Sequence, residues 1–127
     1  MGMNVLIVDD SSLTRKAIRR IVDMIGLDIE KVFEAENGVE ALKILDEAHI
    51  QLVLADLNMP EMGGIEMIYY MRGNEATRDI PVVIVSTESS TTVIEGLLAD
   101  GAKDYLHKPF TPEEFREVLT RTVGVQS

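Results

Sequence analysis

The sequence predicts a doubly wound α/β fold, in which helices cover both faces of a five-stranded parallel sheet. Short apolar runs alternate with amphipathic stretches along all 127 residues, and this alternation is typical of strand–helix–strand units with parallel strands. In addition, the apolar runs at 5–8, 52–55 and 82–85 contain no polar residue. Uninterrupted runs of this kind indicate central strands that are buried on both faces.

The first half of the chain is predicted to contain two strand–helix units. A strand at 4–8 is followed by a helix at 13–26, which ends at Gly26. A second strand at 30–36 alternates apolar and polar residues, and a helix follows at 38–48. The apolar residues that share a face of these two helices at helical spacing are Leu13, Ala17, Ile18, Ile21, Val22 and Ile25, and then Val39, Leu42 and Leu45.

The second half continues the same alternation. Strands are predicted at 51–56 and 81–86, and they are followed by helices at 64–73 and 91–101. A fifth and weaker strand is predicted at 103–108. Since the second and fifth strands are less apolar than the others, we expect them to form the edges of the sheet.

The last helix has the clearest start signal in the sequence. Thr111 can cap it, Pro112 suits the first helical position, and Glu114 completes a capping box. The residues that then share one face are Phe115, Val118, Leu119 and Thr122. A fifth helix is therefore predicted to begin at Pro112.

Length and composition exclude several classes of protein. A chain of this length fits one domain, residues 1–127, and leaves no room for an output domain. The net charge of −10 argues against nucleic-acid binding, and the basic residues Arg15, Lys16, Arg19 and Arg20 fit the solvated face of one helix. Cysteine is absent, and no run approaches the roughly 20 apolar residues of a membrane span. With no signal peptide either, we expect a cytoplasmic protein without membrane contact.

Polar side chains follow four of the five predicted strands. Asp9 and Asp10 follow the first strand, Asp56 ends the third, Ser86 ends the fourth and Lys108 ends the fifth. In an open parallel sheet, ligands bind outside the carboxyl ends of the strands. We therefore expect these five side chains to line one crevice.

The chemistry of this crevice favours phosphoryl transfer. Two carboxylates about 4 Å apart repel by about 4 kcal/mol at an effective dielectric constant near 20, so a proton or a cation must relieve the repulsion. Oxygen ligands without His or Cys favour Mg²⁺, and Lys108 can pair with a phosphate. Asp56 stands alone on a central strand and is the best candidate for a nucleophile. Taken singly, each residue also has an ordinary reading: Asp10 as a helix cap, a role that Ser11 or Ser12 could also fill, Ser86 as a cap or turn residue and Lys108 as a surface lysine.

Four motifs together resemble one family. They are "LIVDDS" at 6–11, "LADLNMPEMGG" at 54–64, "VIVST" at 83–87 and "YLHKPF" at 105–110. This combination resembles the receiver domains of two-component response regulators, in particular single-domain chemotaxis regulators, over essentially the whole chain. The resemblance implies a flavodoxin-like sheet with strand order 2-1-3-4-5.

The resemblance also implies roles for residues of the crevice. Asp56 corresponds to the phosphoacceptor. Asp9, Asp10 and Asp56 correspond to the ligands of Mg²⁺, to which Asn58 adds its backbone carbonyl. Lys108 corresponds to the lysine that contacts the phosphate, and its peptide bond to the following proline is expected to be cis.

Further residues are implied to respond to the phosphate or to tune its lifetime. Ser86 corresponds to the hydroxyl that closes on the phosphoryl group, and Tyr105 to the aromatic switch that turns inward. Asn58 and Glu88 are expected to tune the rate of phosphate loss and to favour a short lifetime. Thr87 stands where a smaller residue is common, and its β-branched side chain is expected to oppose that effect by narrowing access to Asp56.

The implied partners are a histidine kinase, which donates the phosphoryl group from a phosphohistidine, and a downstream protein target. The target is expected to bind the surface formed by the fourth helix, fifth strand and fifth helix. A monomer is expected, with dimerisation on phosphorylation as an option. The sequence leaves three alternatives open: a phosphorelay shuttle, a Mg²⁺-dependent phosphatase of small molecules, and a receiver-like module that never accepts phosphate.

Overall fold

The structure, a computed structural model, describes residues 2–123, which form ten alternating elements. The strands are β1 (Met3–Val8), β2 (Ile29–Ala35), β3 (Leu52–Ala55), β4 (Val82–Ser86) and β5 (Asp104–His107). The helices are α1 (Ser12–Met24), α2 (Gly38–Glu47), α3 (Gly64–Arg72), α4 (Thr91–Ala99) and α5 (Pro112–Val123). The predicted elements are confirmed, with boundaries that differ by one or two residues.

The five strands form one parallel sheet in the order β2-β1-β3-β4-β5, which confirms the predicted topology. Val5 of β1 pairs with Val32 of β2 on one side and with Leu52 of β3 on the other. The strand order therefore reverses between β1 and β3. The crevice at the carboxyl ends of these two strands is where ligands bind in sheets of this kind.

The sheet is covered on both faces, as predicted. Successive side chains of a strand point to opposite faces, so Val5 and Ile7 pack in one apolar cluster while Leu6 and Val8 pack in the other. The first cluster includes Ile18 of α1 and residues of α5, and the second includes residues of α2 and α3. Within residues 2–123, none of the helices is long and apolar enough to cross a lipid bilayer.

Side-chain caps explain where α1 and α5 begin. Ser11 caps α1 by accepting a hydrogen bond from the backbone N–H of Thr14 at 3.2 Å, so the cap is neither Asp10 nor Ser12. At α5 the predicted capping box is confirmed. The backbone N–H of Glu114 donates to Thr111 Oγ1 at 3.1 Å, and the N–H of Thr111 donates to Glu114 Oε1 at 2.8 Å.

The predicted apolar faces of α1 and α2 were partly wrong. Leu13 is 78% exposed and Val39 is 48% exposed, although both follow helical spacing. The contact face of α2 is instead formed by Gly38, Ala41 and Leu45. Gly38 and Ala41 are small, so α2 can pack closely on this face. The helix is therefore oriented with the neighbouring Val39 toward solvent. The clean alternation predicted for the second strand is also absent, since β2 has consecutive exposed residues at its start.

Candidate functional site

Three carboxylates from two strand ends converge at the crevice. Asp9 and Asp10 follow β1, Asp56 follows β3, and one carboxylate oxygen from each lies within 4.8 Å of the others. Their burial differs, since Asp9 is only 2% exposed, Asp56 is partly buried and Asp10 is exposed. The convergence follows from the topology, because β1 and β3 are neighbours in the sheet and end at the same edge.

Lys108 brings a positive charge to the same place from β5. Its Nζ lies 3.0 Å from Asp9 Oδ2 and 3.3 Å from Asp56 Oδ2. The backbone N–H of Lys108 donates to the carbonyl of Ser86 at 2.8 Å, and the Lys108–Pro109 peptide bond is cis, as expected. Burial lowers the pKa of Lys108, but the hydrogen bond to Asp9 and the charges of Asp56 and Asp9 outweigh this effect and raise the pKa. The side chain is thus held as an ammonium.

The electrostatics at Asp56 leave negative charge uncompensated. Burial raises the pKa of this carboxyl, and the charge of Asp9 raises it further. The N–H of Leu57, which donates to Asp56 Oδ1 at 2.7 Å, and the Lys108 ammonium offset only part of that rise. Within residues 2–123, the Asp10 carboxylate makes no hydrogen bond or ion pair. A single ammonium, that of Lys108, thus lies beside these three carboxylates among the described residues. The converging carboxylate oxygens form a ligand set that fits a hard divalent cation.

Ser86 and Tyr105 are joined by a hydrogen bond at the carboxyl end of β4. Ser86 is 2% exposed, and its Oγ accepts from the backbone N–H of Glu88 at 3.2 Å. The Tyr105 hydroxyl lies 3.0 Å from the carbonyl oxygen of Ser86 and also contacts the carbonyl of Glu88. Burial raises the pKa of this hydroxyl, so it remains a donor. Tyr105 thereby fixes the segment that joins β4 to α4.

The residues expected to tune the phosphate lifetime lie in the segments that follow β3 and β4. Asn58 and Thr87 are exposed. The Glu88 carboxylate accepts hydrogen bonds from the backbone N–H groups of Ser89 and Ser90 at 3.1 and 3.0 Å. The Glu88 side chain is therefore held by hydrogen bonds to the two residues that follow it.

Two features near the site were missed from the sequence. Arg15 donates to the backbone carbonyl of Asp9 at 2.6 Å and to Glu34 at 2.9 Å, and Arg19 also binds Glu34. The basic residues of α1 are therefore only partly a solvated face. The second feature is a bond between Asn37 and Glu61, two residues that are remote in sequence. Helical spacing places Arg15 and Arg19 together, but no sequence signal identifies their partner.

Comparisons with known proteins agree with this geometry. The family model described as "Response regulator receiver domain" matches residues 5–120. The chemotaxis protein CheY1 of Helicobacter pylori is 37% identical over 123 residues, and the match covers 96% of this chain and 98% of that protein. A chemotaxis protein CheY homolog of Campylobacter jejuni is 36% identical over 126 residues, covering 98% and 95%.

A solved structure gives the same result for the fold. The chemotaxis response regulator CheY4 of Vibrio cholerae superposes with a TM-score of 0.86 at 31% sequence identity, over 96% of this chain and 99% of that chain. The family model, the relatives and the strand order lead to one assignment. This chain belongs to the family of response regulator receiver domains.

Proposed function

We propose that this chain is a phosphorylation-switched signalling module in which Asp56 accepts a phosphoryl group from a phosphohistidine of a histidine kinase. Receiver domains are signalling proteins rather than conventional enzymes, so the proposed transfer serves a switch. The observation that carries the proposal is the convergence of Asp9, Asp10 and Asp56 within 4.8 Å, with Lys108 Nζ at 3.3 Å from Asp56.

The cluster is proposed to hold Mg²⁺. The carboxylates of Asp9, Asp10 and Asp56 and the backbone carbonyl of Asn58 would be its ligands. When bound, Mg²⁺ supplies positive charge that balances the carboxylates and the phosphoryl oxygens. Its preference for oxygen ligands and for retained waters suits a site in which Asp10 is exposed.

The chain's own residues then have separate tasks in the transfer. A carboxylate oxygen of Asp56 attacks phosphorus and forms a P–O bond, while the P–N bond to the donor imidazole breaks and the imidazole leaves with the electron pair. The Lys108 ammonium, already beside Asp56 Oδ2, pairs with the phosphoryl oxygens. The Ser86 hydroxyl donates a hydrogen bond to the same group.

The output surface is proposed to be the face formed by α4, β5 and α5. Movement of Ser86 toward the phosphoryl group would disturb the segment that the Tyr105 hydroxyl holds through the carbonyls of Ser86 and Glu88. A downstream protein target would sense this change. Because the named relatives are chemotaxis proteins, a switch of that kind is favoured over a phosphorelay shuttle.

The lifetime of the phosphate is proposed to be set at the rim of the site. Asn58 and Glu88 favour a short lifetime, and the exposed Thr87 opposes them by narrowing the approach of water. Decay of the purified phosphoprotein in Mg²⁺ tests this part. A lifetime of many hours would contradict it, and a faster decay in Thr87→Ala would support the role of the β-branched side chain.

Acetyl phosphate tests the central proposal without knowledge of the kinase. We expect incubation with acetyl phosphate and Mg²⁺ to add one phosphoryl group, seen by intact mass, and we expect EDTA to prevent it. Asp56→Asn should remain unmodified. Labelling of Asp56→Asn to the same extent as the wild type, or labelling that does not depend on Mg²⁺, would contradict the proposal. Size-exclusion chromatography before and after labelling shows whether the monomer dimerises.

A further inference from the structure

The segment from Leu57 to Gly63 joins β3 to α3 and carries Asn58, whose carbonyl is a proposed Mg²⁺ ligand. The segment closes on itself through a bond from the Gly64 N–H to the Leu57 carbonyl at 2.9 Å. Two further hydrogen bonds tie its far end to the start of α2. The N–H of Gly38 donates to the Met62 carbonyl at 2.9 Å, and Asn37 Nδ2 donates to Glu61 Oε2 at 3.1 Å.

Asn37 uses both ends of its side-chain amide. Its Oδ1 accepts from the N–H of Glu40 at 2.9 Å and caps α2, while its Nδ2 binds the Glu61 carboxylate. Asn37 is 6% exposed, so neither end is chiefly served by water. Aspartate caps helices as well as asparagine does, but its ionised side chain cannot donate to a carboxylate. Capping alone therefore does not explain the amide at this position.

Glu61 is held in an unfavourable backbone conformation. Its φ is +68°, and it is the single non-glycine residue with positive φ within residues 2–123. Glycine would adopt this conformation without the steric cost of a side chain. A glutamate here gains the bond to Asn37, so the contact helps to hold the strained turn in place.

The contact between the 57–63 segment and the start of α2 involves close packing as well as hydrogen bonds. A Cβ added to Gly38 would lie 2.6 Å from Cγ of Met62. The bare glycine backbone lets α2 approach the segment closely enough for the Gly38 N–H to reach the Met62 carbonyl. We call Asn37, Gly38, Glu61 and Met62 the corner clamp.

We propose that Asn37 is a positioning residue for the metal site: through Glu61 it fixes the 57–63 segment so that the Asn58 carbonyl faces the cluster. This inference rests on the proposed function, since it assumes that Mg²⁺ binds there. Asn37 would not itself be a ligand of the metal. Partners that orient ligands typically contribute 10- to 100-fold to metal affinity, and we expect Asn37 to lie at the lower end because it acts through two steps.

Asn37→Asp is the primary test. It keeps the helix cap and replaces the donor by a second carboxylate facing Glu61. We expect the Mg²⁺ dissociation constant of the unphosphorylated chain to rise about tenfold, measured by isothermal titration calorimetry at fixed ionic strength. If Asn37 were only a cap, affinity would not change. If net charge alone mattered, the added carboxylate would tighten Mg²⁺ binding. Either an unchanged or a tightened Mg²⁺ affinity would overturn the inference.

A reciprocal exchange provides the rescue. In Asn37→Asp with Glu61→Gln, the glutamine Nε2 can donate to the new aspartate, and the net charge equals that of the wild type. We expect Mg²⁺ affinity to return to near the wild-type value. Val39→Asp, on an exposed neighbouring position, adds the same charge outside the corner clamp and should not weaken binding. A double variant as weak as Asn37→Asp would contradict the direct bond.

Glu61→Gly separates an effect on Mg²⁺ affinity from an effect on folding stability. Glycine suits the positive φ, so we expect Tm in EDTA to equal or exceed that of the wild type while Mg²⁺ binding weakens; Glu66→Gln is the control for loss of one charge. Unchanged affinity relative to that control would overturn the inference. A wild-type chain that binds no Mg²⁺ would overturn the proposed function as well. Binding by the wild type with equal binding by Asn37→Asp would overturn the positioning role alone.

Discussion

Asp56 combines two requirements that oppose each other. As the proposed nucleophile, Asp56 must be ionised and accessible, but it is partly buried beside Asp9, and burial raises its pKa. Lys108 Nζ is shared between Asp9 and Asp56, so it compensates each only in part. The carboxylate is therefore held at this position at a cost in folding stability, which is common for groups at functional sites.

Asp56→Asn should consequently stabilise the protein without Mg²⁺. A raised folded-state pKa means that the carboxyl's contribution to stability is present in acid and is lost as the pH rises through the folded pKa. We expect the substitution to add about 1 kcal/mol, or roughly 3–5 °C in Tm, at neutral pH in EDTA. The gain should shrink as the pH falls through the raised folded-state pKa and should be absent below the ordinary Asp pKa.

Adding Mg²⁺ should reverse the order of the two proteins. Saturating Mg²⁺ should raise the Tm of the wild type more than that of Asp56→Asn, since a lost carboxylate weakens the site. Thermal unfolding monitored by circular dichroism measures both effects. An Asp56→Asn protein that is less stable than the wild type in EDTA would show that repulsion does not dominate at this position.

At the scale of elements, the start signals were the most predictable feature. Thr111 and Glu114 form the capping box that their spacing predicts, because capping depends on residues within one turn. The exposed side of α2 was not predictable, since Val39 and Ala41 are both compatible with helical spacing and tertiary packing decides between them. The hydrogen bond between Arg15 and Glu34 also could not be predicted from the sequence, because the two residues lie 19 positions apart on different elements.

The Glu34 carboxylate links α1 to the edge strand β2 and should make stability depend on pH. Burial opposes ionisation of Glu34, but hydrogen bonds from Arg15 and Arg19 outweigh it and lower the pKa. A lowered pKa gives stability that is present at neutral pH and lost as the pH falls through the folded pKa. We expect Glu34→Gln to cost up to about 1 kcal/mol at neutral pH and little in acid.

Urea unfolding at several pH values measures this effect. Glu30→Gln is the matched control, because Glu30 lies on the same strand, is exposed and has no ion pair among the described residues. Equal losses for the two variants at neutral pH would argue against a contribution from the arginines.

The contact between α3 and the end of β3 should tolerate no side chain at Gly64. A Cβ built there would lie 2.6 Å from the carbonyl oxygen of Asp56, so the backbone would have to move. We expect Gly64→Ala to cost about 1–3 kcal/mol, in the range of overpacked sites, and to slow labelling by acetyl phosphate because Asp56 is displaced. Gly96→Ala is the control, since a Cβ there has no atom within 4 Å.

Chemical denaturation and the labelling rate test this prediction together. If Gly64→Ala were as stable as the wild type and labelled at the same rate, the close approach of Gly64 to the Asp56 carbonyl would affect neither stability nor labelling.

For the whole molecule, the sheet order is what assembles the site. Asp9 and Asp56 are distant in sequence but follow neighbouring strands, and Lys108 arrives from the edge strand β5. Alternation along the chain predicted a parallel sheet and the shared edge, whereas the order of the strands came only from the family resemblance. Local pattern does not determine strand order, because several orders would bury the same apolar runs.

The same topology connects the site to the proposed output surface through hydrogen bonds. Tyr105 lies on β5, and its hydroxyl reaches the carbonyls of Ser86 and Glu88 on the way to α4. We expect phosphorylation of the wild type to change amide hydrogen exchange across residues 91–99. Tyr105→Phe should lose most of that change, because it lacks the hydroxyl that holds the segment, and Tyr105→Ala should lose at least as much.

His107→Ala is the matched control, since His107 is an exposed residue of the same strand. It should behave as the wild type. Each variant must first be labelled to the same extent, which separates the response of α4 from the transfer itself. A full exchange response in both Tyr105 variants would place the coupling elsewhere, because no hydrogen bond from residue 105 to this segment would remain. A response lost in Tyr105→Ala and retained in Tyr105→Phe would assign the coupling to the ring instead of the hydroxyl.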